Sequence, residues 1–166
     1  GSSHMVTRRL IIASNGWTPG AKVTVYDTDQ GYDPNLLIAL DGSLWLTWRR
    51  TVLPSSWIQV KSSNDNGATW GSGPGDGGTQ LSGAAMFVGG RLLLDSNNLH
   101  AFISYHNNRL AFRSRSLSGG AWTDEAAVYT SSGIGNEFDV AVTDSGGLAV
   151  VLCDPLPRYR EYDGFA

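Results

Sequence analysis

Three tryptophans recur along this chain at a nearly constant interval. Trp17, Trp70 and Trp122 are separated by 53 and then 52 residues, and each follows a turn that contains glycine. Short alternating or apolar runs, which are typical of strands, fill the intervals. Repeats of this length are typical of small units that bury their apolar faces against one another, such as propeller blades. The interval therefore predicts about three blade-like sheets.

The composition agrees with an all-β domain. Among the 166 residues, 21 are glycine, six are tryptophan and six are tyrosine, while only 16% are charged. Glycine-rich turns and bulky residues predict many short strands, and no helical period of convincing length occurs. Residues 1–5 resemble an expression-tag remnant, so we expect the domain to span residues 6–166.

Charge and cysteine content exclude several classes of function. A net charge of −3, with lysine only at positions 22 and 61, argues against a nucleic-acid partner. No apolar run approaches 18 residues, so no membrane partner is expected. The single cysteine, Cys153, cannot form an internal disulfide or a cysteine metal cluster. We expect no cofactor, because a solvated loop explains Asp27-Thr28-Asp29 better than a calcium site does.

Two kinds of hairpin alternate along the chain. In the first kind an aspartate occupies the turn, at Asp41, Asp95 and Asp144; in the second kind the turn precedes a tryptophan. We interpret them as strands A–B and C–D of four-stranded antiparallel blades. The predicted strands are 9–14, 22–26, 36–40, 44–48, 57–62, 79–82, 91–94, 99–105, 110–116, 126–130, 139–143 and 148–153. The order is then CD, ABCD, ABCD, AB, and residues 158–165 form a further C strand.

About three blades cannot close a ring, because propellers have about four to eight. The two ends of the chain predict how a ring could close. The N-terminal CD hairpin of one copy would complete the blade that begins with the C-terminal AB hairpin of another. Two copies would then form a homodimer with six blades, closed because each copy spans half a turn. Residues 158–165 would compete with residues 9–14 for one strand position. The alternative is that the chain is a fragment of a longer protein.

One turn carries a specific motif. Residues 63–70 match the pattern S-x-D-x-G-x-T-W, with its fixed positions at Ser63, Asp65, Gly67, Thr69 and Trp70. The motif resembles the Asp-box (BNR) turn of sialidase-like β-propellers. We expect Asp65 to accept hydrogen bonds from nearby N–H groups, Gly67 to permit the turn and Trp70 to cover the blade. These roles are structural, on the rim of the ring.

The resemblance to sialidases defines what an active site in this chain would need. Such a site needs arginines for a carboxylate, a tyrosine nucleophile beside a glutamate, and an aspartate acid/base. The early Arg-Ile-Pro motif of the family is absent. One can assemble candidate ligand-binding residues, although no spacing demands it: Arg50, Glu137, Arg160 and Tyr162. Glu125 follows a rim turn, and we expect it to be solvated.

A second resemblance involves residues 98–110, which are similar to repeats of some polysaccharide lyases. In those enzymes a histidine or tyrosine removes a proton beside a carboxylate. Here His106, with Tyr105 and Arg109, is the candidate. The plainer interpretation is an Asn-Asn turn with an exposed His106.

Non-catalytic carbohydrate recognition is the function we expect, with a glycan as ligand. Exposed aromatic rings stack on sugars, and carboxylates orient their hydroxyls. Trp17 and residues 31–35 are candidates, and Asp33 should lie near the mouth of a central channel. Its alternative role is to cap the turn before Pro34. A rigid platform in a surface protein or a phage tail is the other non-catalytic possibility, and a glycan-active enzyme completed by assembly is the catalytic one.

Overall fold

The computed structural model describes residues 4–13, 16–86, 88–105, 109–130, 138–143, 147–154 and 156–162. Within these ranges the regular structure consists of strands joined by turns, without a helix. In chain order the strands are β1 (Met5–Ala13), β2 (Gly16–Tyr26), β3 (Gln30–Ile38), β4 (Leu44–Val52), β5 (Ser55–Ser63), β6 (Thr79–Gln80), β7 (Val88–Leu94), β8 (Asn98–Tyr105), β9 (Arg109–Ser116), β10 (Ala126–Thr130), β11 (Phe138–Val142), β12 (Leu148–Asp154) and β13 (Leu156–Tyr162).

The strands form four antiparallel sheets, each built from consecutive strands. Sheet 1 contains β1 and β2, sheet 2 contains β3 to β6, sheet 3 contains β7 to β10, and sheet 4 contains β11 to β13. Neighbours in sequence are neighbours in each sheet, because antiparallel strands can be joined directly by a turn or a loop. The prediction of an all-β chain with four-stranded antiparallel sheets is confirmed.

Strand β3 begins six residues earlier than the sequence pattern predicts. Residues 30–32 pair with residues 49–51 of β4, and the register then shifts so that Asp33 and Pro34 are left out of the ladder. Proline has no N–H to donate, and Asp33 has a φ of 52°, so the strand bulges at this step. The apolar alternation starts only at Leu36, which is why the first part of β3 was not predicted.

Aspartates organise the turns between β3 and β4 and between β7 and β8. Asp41 Oδ1 accepts hydrogen bonds from the N–H and the hydroxyl of Ser43, at 2.9 and 2.6 Å. Asp95 Oδ1 accepts from the N–H groups of Asn97 and Asn98, at 2.7 and 2.5 Å. Each carboxylate thus satisfies backbone donors that a tight turn leaves unpaired. The corresponding Asp144 lies outside the described residues.

Side chains that alternate along the strands form three apolar layers between successive sheets. Tyr26, Trp48 and Trp70 lie in the layer between sheets 1 and 2. The next layer, between sheets 2 and 3, includes Ile58 and Ile103. Because successive residues of a strand point to opposite faces, both sides of a middle sheet are buried.

Two details refine the packing of these layers. Met5, which we placed outside the domain on sequence grounds, begins β1 and buries its side chain in the layer between sheets 1 and 2. A Cβ added to Gly90 in β7 would lie 2.9 Å from Ile58 Cγ2 in β5, so sheets 2 and 3 approach closely there. In the same region the N–H of Leu92 donates to Asn35 Oδ1 at 2.7 Å. Strands β3 and β7 are therefore neighbours.

Candidate functional site

A polar group at the start of β3 includes exposed polar side chains. We call it the β3 cluster, and it consists of Gln30, Tyr32, Asp33 and Arg49. Arg49 Nη2 lies 3.0 Å from Asp33 Oδ2, and the guanidinium lies 5.2 Å from the centre of the Tyr32 ring. The Tyr32 hydroxyl donates to Gln30 Oε1 at 2.6 Å. The ladder between β3 and β4 creates this arrangement because it places Tyr32 opposite Arg49.

The exposure of this cluster suits the recognition of a polar ligand. The Asp33 side chain is 52% exposed, whereas the Arg49 side chain beneath it is only 17% exposed. Asp33 also has a left-handed backbone conformation, which is uncommon outside glycine and often found at functional sites. A carboxylate held in place by a less exposed arginine, next to an aromatic ring, can accept hydrogen bonds from sugar hydroxyls.

A second polar group joins sheets 1 and 2. Arg50 donates from Nε and Nη2 to Asp29 Oδ2, at 2.7 and 2.6 Å, and the Tyr26 hydroxyl donates to the same oxygen at 2.7 Å. The guanidinium of Arg50 also lies 5.7 Å from the centre of the Trp57 ring. Hydrogen bonds from Tyr26 and Arg50 keep the pKa of Asp29 below its usual value despite some burial. The structure therefore pairs Arg50 with Asp29, while Asp33 pairs with Arg49.

A third polar group lies in sheet 3 and contains Glu125, which we expected to be solvated. That expectation was wrong, because the Glu125 carboxylate accepts hydrogen bonds from the Tyr105 hydroxyl and from Arg109 Nη2. The hydroxyl of Tyr105 also accepts from the N–H of Gly83, at 3.1 Å. The turn after β9 carries Glu125 back beside the start of that strand, across 16 residues, and no local sequence pattern signals such a contact.

The Tyr105–Glu125 pair resembles a tyrosine nucleophile with its glutamate, but its environment opposes that role. Tyr105 is only 7% exposed. Burial, followed by the hydrogen bond to Glu125, raises the pKa of Tyr105 to about 12. A nucleophile needs an accessible oxygen whose ionised form is stabilised. We therefore interpret this group as structural, because it holds the turn before β10 against β8 and β9 and, through Gly83, against the segment before β7.

The tyrosines predict a loss of stability in alkali. Burial and the hydrogen bond to Asp29 raise the pKa of Tyr26 to about 12, as the corresponding effects do for Tyr105. The contribution of these raised pKa values to stability is fully present below a pH of about 10, the pKa of tyrosine in the unfolded chain. It is lost as the pH rises through about 12. With allowance for screening by solvent, the free energy of unfolding should fall by about 1–2 kcal/mol for each tyrosine. Urea titrations at pH 9 to 12 measure the loss.

Comparison with Tyr105→Phe isolates this effect from other groups that titrate in alkali. The variant should lose less stability between pH 10 and 12 than the parent protein. An identical pH dependence in both proteins would contradict the prediction.

The turn at residues 63–70 is stabilised by its own side chains. Asp65 Oδ1 accepts from the Ser63 hydroxyl at 2.7 Å and from the Thr69 N–H at 2.9 Å, and Oδ2 accepts from the Thr69 hydroxyl at 2.6 Å. The Gly67 N–H donates to Ser63 Oγ at 2.9 Å, and Trp70 is buried. Hydrogen bonds from Thr69 and then Ser63 lower the pKa of Asp65 to about 2. The carboxylate is thus engaged within its own turn.

A buried lysine connects sheets 1 and 2, and sequence analysis missed its role. Lys61 Nζ donates to the carbonyl oxygens of Val25 and Gly73, at 2.8 and 2.7 Å. Burial lowers the pKa of Lys61, whereas the negative charges of Asp76 and Asp27 oppose this shift. Lys61 lies in β5 among mostly polar residues, and its burial follows only from the packing of the two sheets.

The remaining predicted ligand-binding residues are not gathered at the β3 cluster by any described contact. His106 and Glu137 lie outside the described residues. On β13, Arg160 pairs with Val150 and Tyr162 with Leu148. Tyr162 is thus beside the turn between β11 and β12, whereas Arg50 is near the turn between β4 and β5. Arg50 and Tyr162 occupy opposite ends of their respective sheets.

Two further points concern the part of the chain that the structure describes. The described residues contain no helix that is long and apolar enough to cross a membrane. The same ranges contain no group of three or more His, Cys, Asp or Glu side chains suited to holding a metal ion.

No protein-family model and no curated protein matches the sequence. The fold is nevertheless similar to that of several enzymes whose structures have been solved. The α-L-arabinanase of Penicillium chrysogenum, solved with arabinobiose, has a TM-score of 0.69 and 16% identity over 97% of this chain and 54% of its own. The intramolecular trans-sialidase of Ruminococcus gnavus, solved with oseltamivir carboxylate, has a TM-score of 0.57 and 13% identity over 90% of this chain and 36% of its own.

A third structure with this fold is the Trypanosoma rangeli sialidase in complex with the inhibitor DANA. It has a TM-score of 0.51 and 13% identity over 98% of this chain and 32% of its own. Such low identities show the fold alone, and this chain has a sialidase-like β-propeller fold. It spans about half the length of the arabinanase and about a third of the two sialidases.

Proposed function

We propose that this chain is a carbohydrate-binding propeller unit, without catalysis of its own, and that the β3 cluster contacts the sugar. The observation that carries the proposal is the half-exposed Asp33, held by Arg49 next to the Tyr32 ring. The ring offers an apolar surface to a sugar, and the carboxylate accepts from its hydroxyls. Because Arg49 already holds both groups, little ordering is needed on binding.

The fold likeness supports carbohydrate as the class of ligand. The arabinanase was solved with arabinobiose, and the Trypanosoma rangeli sialidase with DANA. We also infer that residues 63–70 form an Asp-box turn, since Asp65 and Thr69 make the hydrogen bonds expected of that motif. In this interpretation sheets 1 to 4 correspond to blade segments CD, ABCD, ABCD and ABC.

The alternative is a glycan-active enzyme whose site is completed by a second copy or by further sequence. The similarity to an arabinanase at a TM-score of 0.69 favours this alternative over other activities. In it, Asp33 would contribute a carboxylate and the partner surface would supply the second carboxylate that glycoside hydrolysis requires. Release of arabinose from arabino-oligosaccharides by the purified protein would favour the enzyme over the binding unit.

Binding can be measured by isothermal titration calorimetry with arabinobiose and with DANA. We expect one of these probes to bind, and Asp33→Asn and Tyr32→Ala to weaken that binding at least about tenfold, which corresponds to roughly 1.4 kcal/mol. Asparagine tolerates the left-handed conformation of Asp33, so the first variant should keep the fold.

Asp124→Asn is the matched control, because Asp124 is also exposed but lies in the turn before β10. It should bind like the parent protein. The proposal fails if neither probe binds, or if Asp33→Asn binds as tightly as Asp124→Asn.

A further inference from the structure

Sheet 2 exposes an apolar surface on the side that faces sheet 1. Leu36 is 52% exposed and Ile38 is 65% exposed, and across the ladder they pair with Leu46 and Leu44 of β4. Beside them lies a cavity of about 640 Å³, whose walls include Val23 and Leu44. Large contiguous apolar surfaces of this kind usually mark an interface. We call this surface the β3 face, defined by Leu36, Ile38 and the adjoining cavity.

The packing of sheets 2 and 3 shows what covers such a face elsewhere in the chain. In sheet 3, Leu92 of β7 occupies the same ladder position as Leu36, because each lies two residues before the last pair with the following strand. Leu92 is buried in the layer that contains Ile58, and Leu37 of β3 packs against this layer. In sheet 3 the position of Leu92 is therefore covered by the β3–β4 hairpin of sheet 2, which is the A–B hairpin of the preceding sheet. Sheet 1 contains only β1 and β2 among the described residues and supplies no such hairpin.

The other end of the chain carries a hairpin with an unused face. In β12, Leu148 and Val150 are buried against sheet 3, so the alternating residues Ala149 and Val151 point away from it. Val151 is exposed, as is Ala141 on β11. Ala141 lies one residue before the last pair of the β11–β12 ladder, and Leu37 has the same position in the β3–β4 ladder of sheet 2. The small apolar residues of this hairpin therefore match the large ones of the β3 face.

Charge also favours this match. Arg8 lies in the wall of the cavity beside the β3 face. Asp139 is exposed on the unused side of β11, two residues from Ala141. Opposite charges at the edge of an apolar contact favour one partner and one register.

We propose that a second copy of this chain covers the β3 face with its β11–β12 hairpin, and that the reciprocal contact closes a two-copy ring. The hairpin adds two inner strands to the two that the described part of sheet 1 contains, with β12 beside β1. Within one copy β13 occupies that edge of β12, so β1 of the partner replaces β13 when the ring forms. Such a head-to-tail contact ends at two copies because the rotation closes. This proposal does not depend on glycan binding.

Light scattering coupled to size-exclusion chromatography tests the assembly. We expect a mass of twice the 17.8 kDa chain, with dissociation on dilution. Ile38→Asp should give a monomer, because a carboxylate cannot be buried unpaired in the contact. Leu53→Asp is the matched control, since Leu53 is exposed in the turn between β4 and β5, away from the β3 face, and it should remain a dimer. A parent protein that is monomeric at all concentrations would overturn the proposal.

A disulfide test locates the contact without relying on a destabilising change. Leu36→Cys and Ala141→Cys are combined in a Cys153→Ser background, and the oxidised protein is run on a non-reducing gel. We expect covalent dimers without longer ladders, and none when Ala126→Cys replaces Ala141→Cys. A ladder of higher oligomers would contradict a closed ring, and equal cross-linking of both pairs would contradict the proposed contact. Neither measurement involves arabinobiose or DANA, so failure of the dimer is distinguishable from failure of the binding proposal.

Discussion

Replacing Trp48 with alanine should lower the free energy of unfolding by about 3–5 kcal/mol, the range found for buried aromatic residues. Trp48 is fully buried in the layer between sheets 1 and 2. Its ring lies 5.4 Å from that of Tyr26, and the Lys61 Nζ lies 6.0 Å from its centre. The substitution removes these contacts and leaves a cavity next to a buried ammonium group. Chemical denaturation followed by circular dichroism measures the change.

Trp57→Ala provides a control of the same chemistry. Trp57 is only half-buried and lies beside the Arg50 guanidinium. Its replacement should cost clearly less than that of Trp48, because less area is removed from contact. Equal losses for both variants would mean that sheet 1 is not packed on sheet 2 as described. The comparison therefore tests the packing of sheet 1 on sheet 2, beside the β3 face.

Gly78→Ala should destabilise the protein by about 2–4 kcal/mol through strain and overpacking together. Gly78 has a φ of +73°, and a Cβ there would lie 2.5 Å from the Val60 carbonyl oxygen and 2.9 Å from Lys61 Cγ. The side chain of Lys61 cannot move away freely, because its Nζ donates to Val25 and Gly73. The added methyl group must therefore displace β5 or the segment before β6. Thermal and urea unfolding both report this change.

Gly42→Ala separates the cost of strain from the cost of the clash. Gly42 has a φ of +82°, but a Cβ there would have no neighbour within 4 Å. We expect this variant to lose only the roughly 1–2 kcal/mol that a left-handed conformation costs an L-residue. If Gly42→Ala and Gly78→Ala lose the same amount, the close approach at Gly78 has no energetic consequence and this prediction is wrong.

The predictions from sequence were most accurate where a local rule determines the structure. Aspartates at positions 41 and 95 predicted two turns, and the structure shows their carboxylates accepting the expected backbone hydrogen bonds. Alternating apolar residues located most strands to within a few positions. The beginning of β3 was missed because residues 30–35 lack that alternation and contain a bulge.

The contacts of the candidate site were harder to predict from the sequence. Asp33 was selected because it precedes an apolar strand, but Arg49 became its partner only through the ladder between β3 and β4. Arg50, which was selected instead, points toward sheet 1 and binds Asp29. One residue of register decides between these outcomes, because adjacent side chains of a strand lie on opposite faces.

The sequence by itself determined the all-β architecture, through its repeat interval, its glycine-rich turns and its two-residue apolar alternation. These signals act between residues that are close in the chain. Tertiary structure alone decided that Glu125 is bound by Tyr105 and Arg109, that Lys61 is buried, and that Leu36 and Ile38 remain exposed. Such outcomes depend on which faces of distant strands meet, and that is set by the packing of whole sheets.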